Sequence, residues 1–142
     1  MTLVMLGPFL GSLLLVVSQG TLTARQGMAR QSVEALAIDL TNPKVVWVGS
    51  GESWMRNSIS VGDGIYKSTD AGENWTNVGL PESEHIAKIQ IDPKDPNTVF
   101  VCVPGKLWSD SNDRGVYKTA DGGRSWSKVL AGSNGSTGCS ML

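Results

Sequence analysis

The feature that most constrains this chain is an internal repeat. The run Asp39-Leu40-Thr41-Asn42-Pro43-Lys44-Val45-Val46-Trp47-Val48 returns 53 positions later as Asp92-Pro93-Lys94-Asp95-Pro96-Asn97-Thr98-Val99-Phe100-Val101. A second block, Gly64-Ile65-Tyr66-Lys67-Ser68-Thr69-Asp70-Ala71-Gly72-Glu73-Asn74-Trp75, returns 51 positions later at Gly115–Trp126. Two blocks in the same order define a structural unit of about fifty residues, and such units stack as solenoids or propellers. Each copy reads as four short strands separated by Asn-Pro, Asp-Pro and Asp/Gly turn signals. The first copy predicts strands near 33–38, 45–49, 64–68 and 75–78. The second predicts 87–91, 98–103, 115–119 and 126–130. The second strand of each copy is a continuous apolar run, as expected for a strand covered on both faces. Small residues at Ala35, Ala37 and Ala87 suit a crowded inner edge. The expected fold is therefore all-β: a partial β-propeller of about two four-stranded antiparallel blades plus the start of a third. The expected division is an apolar segment over 1–30, blades over 31–84 and 85–135, and a third repeat beginning at 136–142.

Composition agrees with a globular chain and narrows its partners. Hydrophobic residues make up 40% of the 142 and the formal net charge is −1. That excludes global disorder, and charge gives no reason to expect nucleic acid or an anionic membrane as partner. The apolar run Leu3–Val17 is shorter than a membrane-spanning helix requires and is broken by Gly7-Pro8. No stable membrane span is expected. The run resembles the apolar core of a secretion signal but has no basic residue before Arg25, so a secreted or periplasmic location and an artefactual segment both stay open. Cys102 and Cys139 form no CxxC pair, and two buried thiols are preferred over a disulfide. A lone histidine, His85, gives no metal site, and no cofactor is expected.

The densest motif occurs twice, as Ser68-x-Asp70-x-Gly72-x-x-Trp75 and Thr119-x-Asp121-x-Gly123-x-x-Trp126. Each part has a turn-making role. The carboxylate accepts backbone N–H groups, the hydroxyl adds a local bond, and glycine supplies a positive φ. The tryptophan opens the outer strand and is expected to fold back over its own turn. The aspartates are thus read as structural rather than catalytic. With these residues, and with Val46–Glu52, Gly62–Gly72, His85–Ile89, Arg114–Thr119 and Thr137–Ser140, the chain resembles the Asp-box (BNR-repeat) β-propellers from about Ser32 to Leu142. It is most similar to bacterial sortilin-like (VPS10-type) and glycosyl-hydrolase-like repeat proteins. The resemblance implies a fold marker shared by catalytic and non-catalytic propellers, in proteins with many more blades. Two blades alone leave unpaired edges, so self-association is expected.

Because hairpin connections alternate, the Asn-Pro and Asp-box turns are expected at one end. The loops 50–63, 80–84, 104–114 and 131–138 then share the other, where ligands meet rigid scaffolds. Ligand candidates there are Glu52, Trp54, Arg56, Asn57, His85, Lys106 and Trp108. Trp54 and Trp108 either form a platform for a sugar or peptide or fold down to seal the blade interface, and the seal is preferred. Glu52 is read as a cap on backbone N–H groups or a partner of Arg56, ahead of an acid–base role. Weak catalytic candidates are Glu52, Asp63 and Asp110. Glycoside hydrolysis needs two carboxylates about 5–9.5 Å apart, and the sequence does not show which converge. The five arginines are unclustered, and no sialidase, P-loop or GxSxG motif appears. The preferred function is a non-catalytic, sortilin-like scaffold for a protein or glycan. The alternative is a fragment of an Asp-box glycoside hydrolase, xyloglucanase-like or sialidase-like.

Overall fold

The computed structural model describes residues 21–22, 31–54 and 57–142. The apolar run Leu3–Val17 lies outside them, and so does Arg56. Two antiparallel sheets follow one another along the chain. The first holds β1 (Thr21–Leu22), β2 (Gln31–Ile38), β3 (Val46–Ser50), β4 (Ile65–Ser68) and β5 (Thr76–Gly79), in that order. The second holds β6 (Lys88–Ile91), β7 (Val99–Val103), β8 (Gly115–Thr119) and β9 (Ser127–Leu130), again in order. Each expected strand is present, with ends moved by a residue or two. The difference is β1, which pairs with β2 and extends the first sheet on its inner side. Sequential hairpin order is what blades require, because each strand meets its neighbour through a short turn.

The turns that set the register are built from side chains. The Asp39 carboxylate accepts the Thr41 N–H at 2.8 Å and its hydroxyl at 2.7 Å. In the second blade the Asp92 carboxylate accepts the Lys94 N–H at 2.8 Å, and the Asp95 carboxylate accepts the Thr98 hydroxyl at 2.8 Å. The aspartate turns lie at this same end. Ala71 N–H donates to the Lys44 carbonyl and Gly122 N–H to the Asn97 carbonyl, at 2.9 and 3.0 Å. Within them, the Asp70 carboxylate accepts the Ser68 hydroxyl and the Asn74 N–H, at 2.8 and 2.9 Å. The Ser68 oxygen in turn accepts Gly72 N–H at 2.8 Å. The second turn repeats this with Asp121, Thr119, Ser125 and Gly123. Both aspartates are therefore consumed as turn acceptors. Bonds from the Asn74 backbone and side chain, with the Ser68 hydroxyl, hold Asp70 down to about 2. Bonds led by the Ser125 hydroxyl hold Asp121 lower still.

The sheets share one core: Ala35, Trp47 and Ile65 from the first, and Ile86, Ile89, Val99, Val101 and Val103 from the second. Trp47 is fully buried at the seam. The Trp126 ring meets it edge-on, with centroids 6.3 Å apart and planes at 88°. The Lys67 ammonium sits 4.6 Å from the Trp47 centroid and donates to the Gly122 carbonyl at 3.0 Å. A Cβ at Gly123 would lie 3.0 Å from the Trp47 ring, so the second turn seats directly on it. The two motif tryptophans differ. Trp75 folds over its own turn, donating Nε1–H to the Gly72 carbonyl at 3.0 Å. Trp126 instead donates to the Val78 carbonyl of the first blade at 2.7 Å. The expectation of a self-covering tryptophan is corrected for Trp126, because a neighbouring blade offers it a carbonyl and an aromatic edge.

The cysteine expectation is also corrected. Cys102 on β7 and Cys139 form a disulfide, with Cα atoms 5.4 Å apart. The cause is the chain's path after β9. Ser111 N–H donates to the Gly135 carbonyl at 3.0 Å, which pins the returning segment against the loop after β7. A separation of 37 residues in sequence carries no trace of that approach.

Gly123→Val should destabilise the chain by about 2–4 kcal/mol in urea unfolding, since a positive φ of 96° and the Trp47 ring both oppose a side chain there. Asp70→Asn should flatten the acid limb of stability. The folded carboxyl titrates below the ordinary 3.8, so the unfolded chain takes up the proton first. That stabilisation is whole above pH 3.8 and is lost as the pH falls through about 2. Thermal midpoints measured between these values should therefore fall more steeply for the parent than for the variant.

Candidate functional site

The end opposite the aspartate turns gathers all four expected loops. Gly62 N–H donates to the Glu84 carbonyl at 2.7 Å, joining the loop after β3 to the blade-to-blade link. The Ser111–Gly135 bond joins the corresponding pair on the second blade. The first loop is pinched at Glu52, whose N–H donates to the Ser60 carbonyl at 2.9 Å. Ser60 N–H returns a bond to the Glu52 carboxylate at 3.4 Å. Glu52 thus makes the backbone cap read from the sequence. The second loop is organised by Arg114, whose guanidinium donates to the carbonyls of Lys106 and of Ser109, the latter at 2.9 Å. Sequence reasoning assigned Arg114 no role, because its acceptors are backbone atoms that leave no side-chain signature.

An open cleft of about 750 Å³ lies between these loops. It brings together four of the candidates, Asn57, His85, Lys106 and Trp108, with Ile59 and Glu84. Glu52 and Trp54 line a separate hollow of about 260 Å³ with Val33 and Glu34. The two tryptophans therefore share no platform. Neither seals the interface: Trp54 is 81% and Trp108 75% exposed. That expectation is corrected, and the reason is that Trp47 and Trp126 already fill the seam. Both loop indoles are left facing solvent.

His85 is a buried titratable group at this end, at 2% exposure. It sits just before β6, 4.0 Å from the Glu84 carboxylate through Nε2. Its Nδ1 has no hydrogen-bond partner among the described residues. Burial pushes its pKa below the ordinary 6.5, against the opposing pull of Glu84, Glu34 and Glu52. The ring is neutral at pH 7. Glu34, missed in the sequence, reaches this neighbourhood from β2 and accepts the N–H and hydroxyl of Ser53, the hydroxyl at 2.5 Å.

The three weak catalytic candidates occupy different settings. The Asp63 carboxylate accepts the Tyr66 hydroxyl at 2.8 Å and is part of the hairpin joining β4 to the loop. Asp110 is exposed beside Gly135. Glu52 stays at its pinch. None of the three lines the larger cleft. The cleft offers instead an aromatic face, an ammonium, an amide and a carboxylate, a set suited to polyhydroxy ligands.

No protein-family model matches the chain. Over 109 residues it is 30% identical to a probable oligoxyloglucan-reducing end-specific xyloglucanase of Neosartorya fischeri, covering 72% of this chain and 11% of that protein. Over 119 residues it is 26% identical to a xyloglucanase of a Paenibacillus species, covering 76% of this chain and 10% of that one. The chain thus spans about a tenth of the length of these curated relatives. Among solved structures, an ancestral GH74 enzyme matches 81% of this chain and 15% of its own, with a TM-score of 0.58 at 22% identity. The GH74 xyloglucanase of Xanthomonas campestris matches 70% of this chain and 15% of its own, with a TM-score of 0.50 at 20% identity. These structures share the fold. The sortilin-like resemblance draws no support from any of these proteins. Among the described residues no helix is long and apolar enough to cross a membrane. The two kinds of tryptophan should respond oppositely to truncation. Trp108→Ala should change unfolding free energy by less than about 0.5 kcal/mol, because its ring faces water. Trp47→Ala should cost about 3–5 kcal/mol in the same urea titration, because it empties the seam. With its seam, its turns and its solved neighbours taken together, the chain has the fold of part of a glycoside-hydrolase-like β-propeller.

Proposed function

We propose that this chain is a two-blade portion of a propeller that acts on a xyloglucan-type polysaccharide, and that its loop end forms part of the wall of the glycan cleft. The observation that carries the reading is Trp108, exposed on the loop after β7 at the rim of the cleft, which it lines with Lys106, His85, Asn57 and Glu84. An indole face packs against the apolar C–H face of a pyranose ring, while amide, ammonium and carboxylate groups meet its hydroxyls. The xyloglucanase relatives support the glycan as ligand. The role of this portion is binding. Asp63 is committed to Tyr66 and Glu52 to Ser60, so neither is poised as one of two facing carboxylates. A polymer too large to cross a membrane is met outside the cell, which agrees with a secreted or periplasmic protein.

The test is isothermal titration of the full chain with xyloglucan oligosaccharides, with chitin oligosaccharides as control. Binding should appear for the former, and Trp108→Ala should weaken it about tenfold or more, equivalent to roughly 1.4 kcal/mol. Unchanged affinity in the variant would sink the reading, as would equal affinity for the control sugar. If any hydrolysis is detected, it should survive Asp63→Asn and Asp110→Asn.

A further inference from the structure

Seven asparagines lie along the chain, and Asn134 alone is followed by glycine. It stands exposed in the loop after β9. Its Oδ1 oxygen accepts four donors: the Ser136 N–H at 3.0 Å and hydroxyl at 2.8 Å, and the Thr137 N–H at 2.8 Å and hydroxyl at 2.9 Å. A side chain bonded in this way is folded forward along the chain, with Cγ over the peptide that joins it to Gly135. Two backbone N–H groups require an oxygen at that point, so the amide orientation is fixed and Nδ2 lies on the other side. Among the described residues neither Nδ2 nor the Gly135 N–H makes a hydrogen bond.

These groups are the parts of an intramolecular acyl transfer. The Gly135 nitrogen is a nucleophile beside Cγ, with no side chain to shield it and no acceptor to hold its proton. The four donors polarise the Asn134 carbonyl and oppose the negative charge that grows on Oδ1 as the nitrogen attacks. The N–Cγ bond forms, the Cγ–Nδ2 bond breaks, and ammonia departs with the proton from the Gly135 nitrogen. A cyclic imide remains. Water then adds to one of its two carbonyl carbons. Opening at Cγ leaves aspartate. Opening at the main-chain carbonyl leaves isoaspartate, with the backbone rerouted through Cβ.

The surroundings make this change matter. The Gly135 carbonyl accepts the Ser111 N–H at 3.0 Å, and a Cβ on Gly135 would lie 3.0 Å from the Asp110 Cβ. Either product adds a carboxylate beside Asp110, and isoaspartate also lengthens the backbone at that contact. Three residues on, a Cβ on Gly138 would lie 3.4 Å from the Arg114 guanidinium, which holds the carbonyls on either side of Trp108. We propose that Asn134-Gly135 is a self-modification site with water as its co-substrate, activated by its own turn, and that conversion releases the loop after β7 and weakens sugar binding at Trp108. The last step rests on the glycan reading. The conversion and the release do not.

The test holds the full chain in warm, mildly alkaline buffer, folded or unfolded in guanidinium. Position 134 is followed by peptide mass spectrometry and by enzymatic methylation of isoaspartate. Conversion should run about tenfold faster in the folded chain. Ser136→Ala and Thr137→Val each remove one hydroxyl donor from an exposed turn, and each should slow the folded rate several-fold while leaving the unfolded rate unchanged. A folded rate equal to or below the unfolded one, or variants that match the parent, would overturn activation by the turn. In the converted chain, amide exchange over residues 104–114 should speed up while β6–β8 stay protected. Unchanged exchange there would overturn the release. Affinity for xyloglucan oligosaccharides should then fall about tenfold. Full affinity with a released loop would overturn the coupling to Trp108. Absence of sugar binding by the unconverted chain counts against the glycan reading alone, because conversion and exchange are read without sugar.

Discussion

Trp47 is the residue on which the rest of the arrangement depends. It is a large aromatic side chain in the middle of a strand covered on both faces, and its ring has to be met by something of matching shape. The partner is a turn, not a strand: the Gly122-Gly123 backbone lies against the ring, Trp126 meets its edge, and Lys67 closes over its face. The first two contacts join the blades directly, and Lys67, on the same blade as Trp47, joins them by donating to the Gly122 carbonyl. The turn motif therefore has two functions in one piece of chain. Internally it satisfies its own backbone through Asp121 and Thr119, and externally it presents a glycine surface to the neighbouring aromatic.

This division explains why the aspartates bring no chemistry to the site. Their carboxylates stand at the end away from the loops, saturated with N–H and O–H donors, and their lowered pKa values are the electrostatic record of those bonds. Rigidity at that end is what frees the other. With the strands fixed by the turns, the loops after β3 and β7 vary in composition and present Trp54 and Trp108 to solvent without weakening the core. Arg114, binding two carbonyls of its own loop, keeps Trp108 on a defined support.

His85 links the two levels. It is placed by the backbone that joins the blades, and it lies beneath a cleft that the loops form above it. Its neutrality follows from burial prevailing over three nearby carboxylates, Glu84, Glu34 and Glu52, which come from three different segments. No local pattern in the sequence announces such a convergence. Glu34 in particular sits in an ordinary strand stretch, and only the pairing of β2 with β3 brings it to Ser53.

The strands, their antiparallel order and the turn-making role of Asp70 and Asp121 were legible from the sequence, because short apolar runs, turn residues and a repeat of matching blocks can be read directly along the chain. The sharing of one end by the Asn-Pro and aspartate turns followed from hairpin geometry alone. What only the tertiary structure decided are the relations between segments far apart in the chain. Trp126 reaches across to Val78 while its counterpart Trp75 stays at home, because only one of them has the Trp47 seam beside it. Trp108 stands in solvent while Trp47 is buried at the seam. Cys102 finds Cys139 because the chain after β9 turns back across the blade. Sequence sets what each segment prefers, and the three-dimensional packing sets which surfaces are already filled when a side chain arrives.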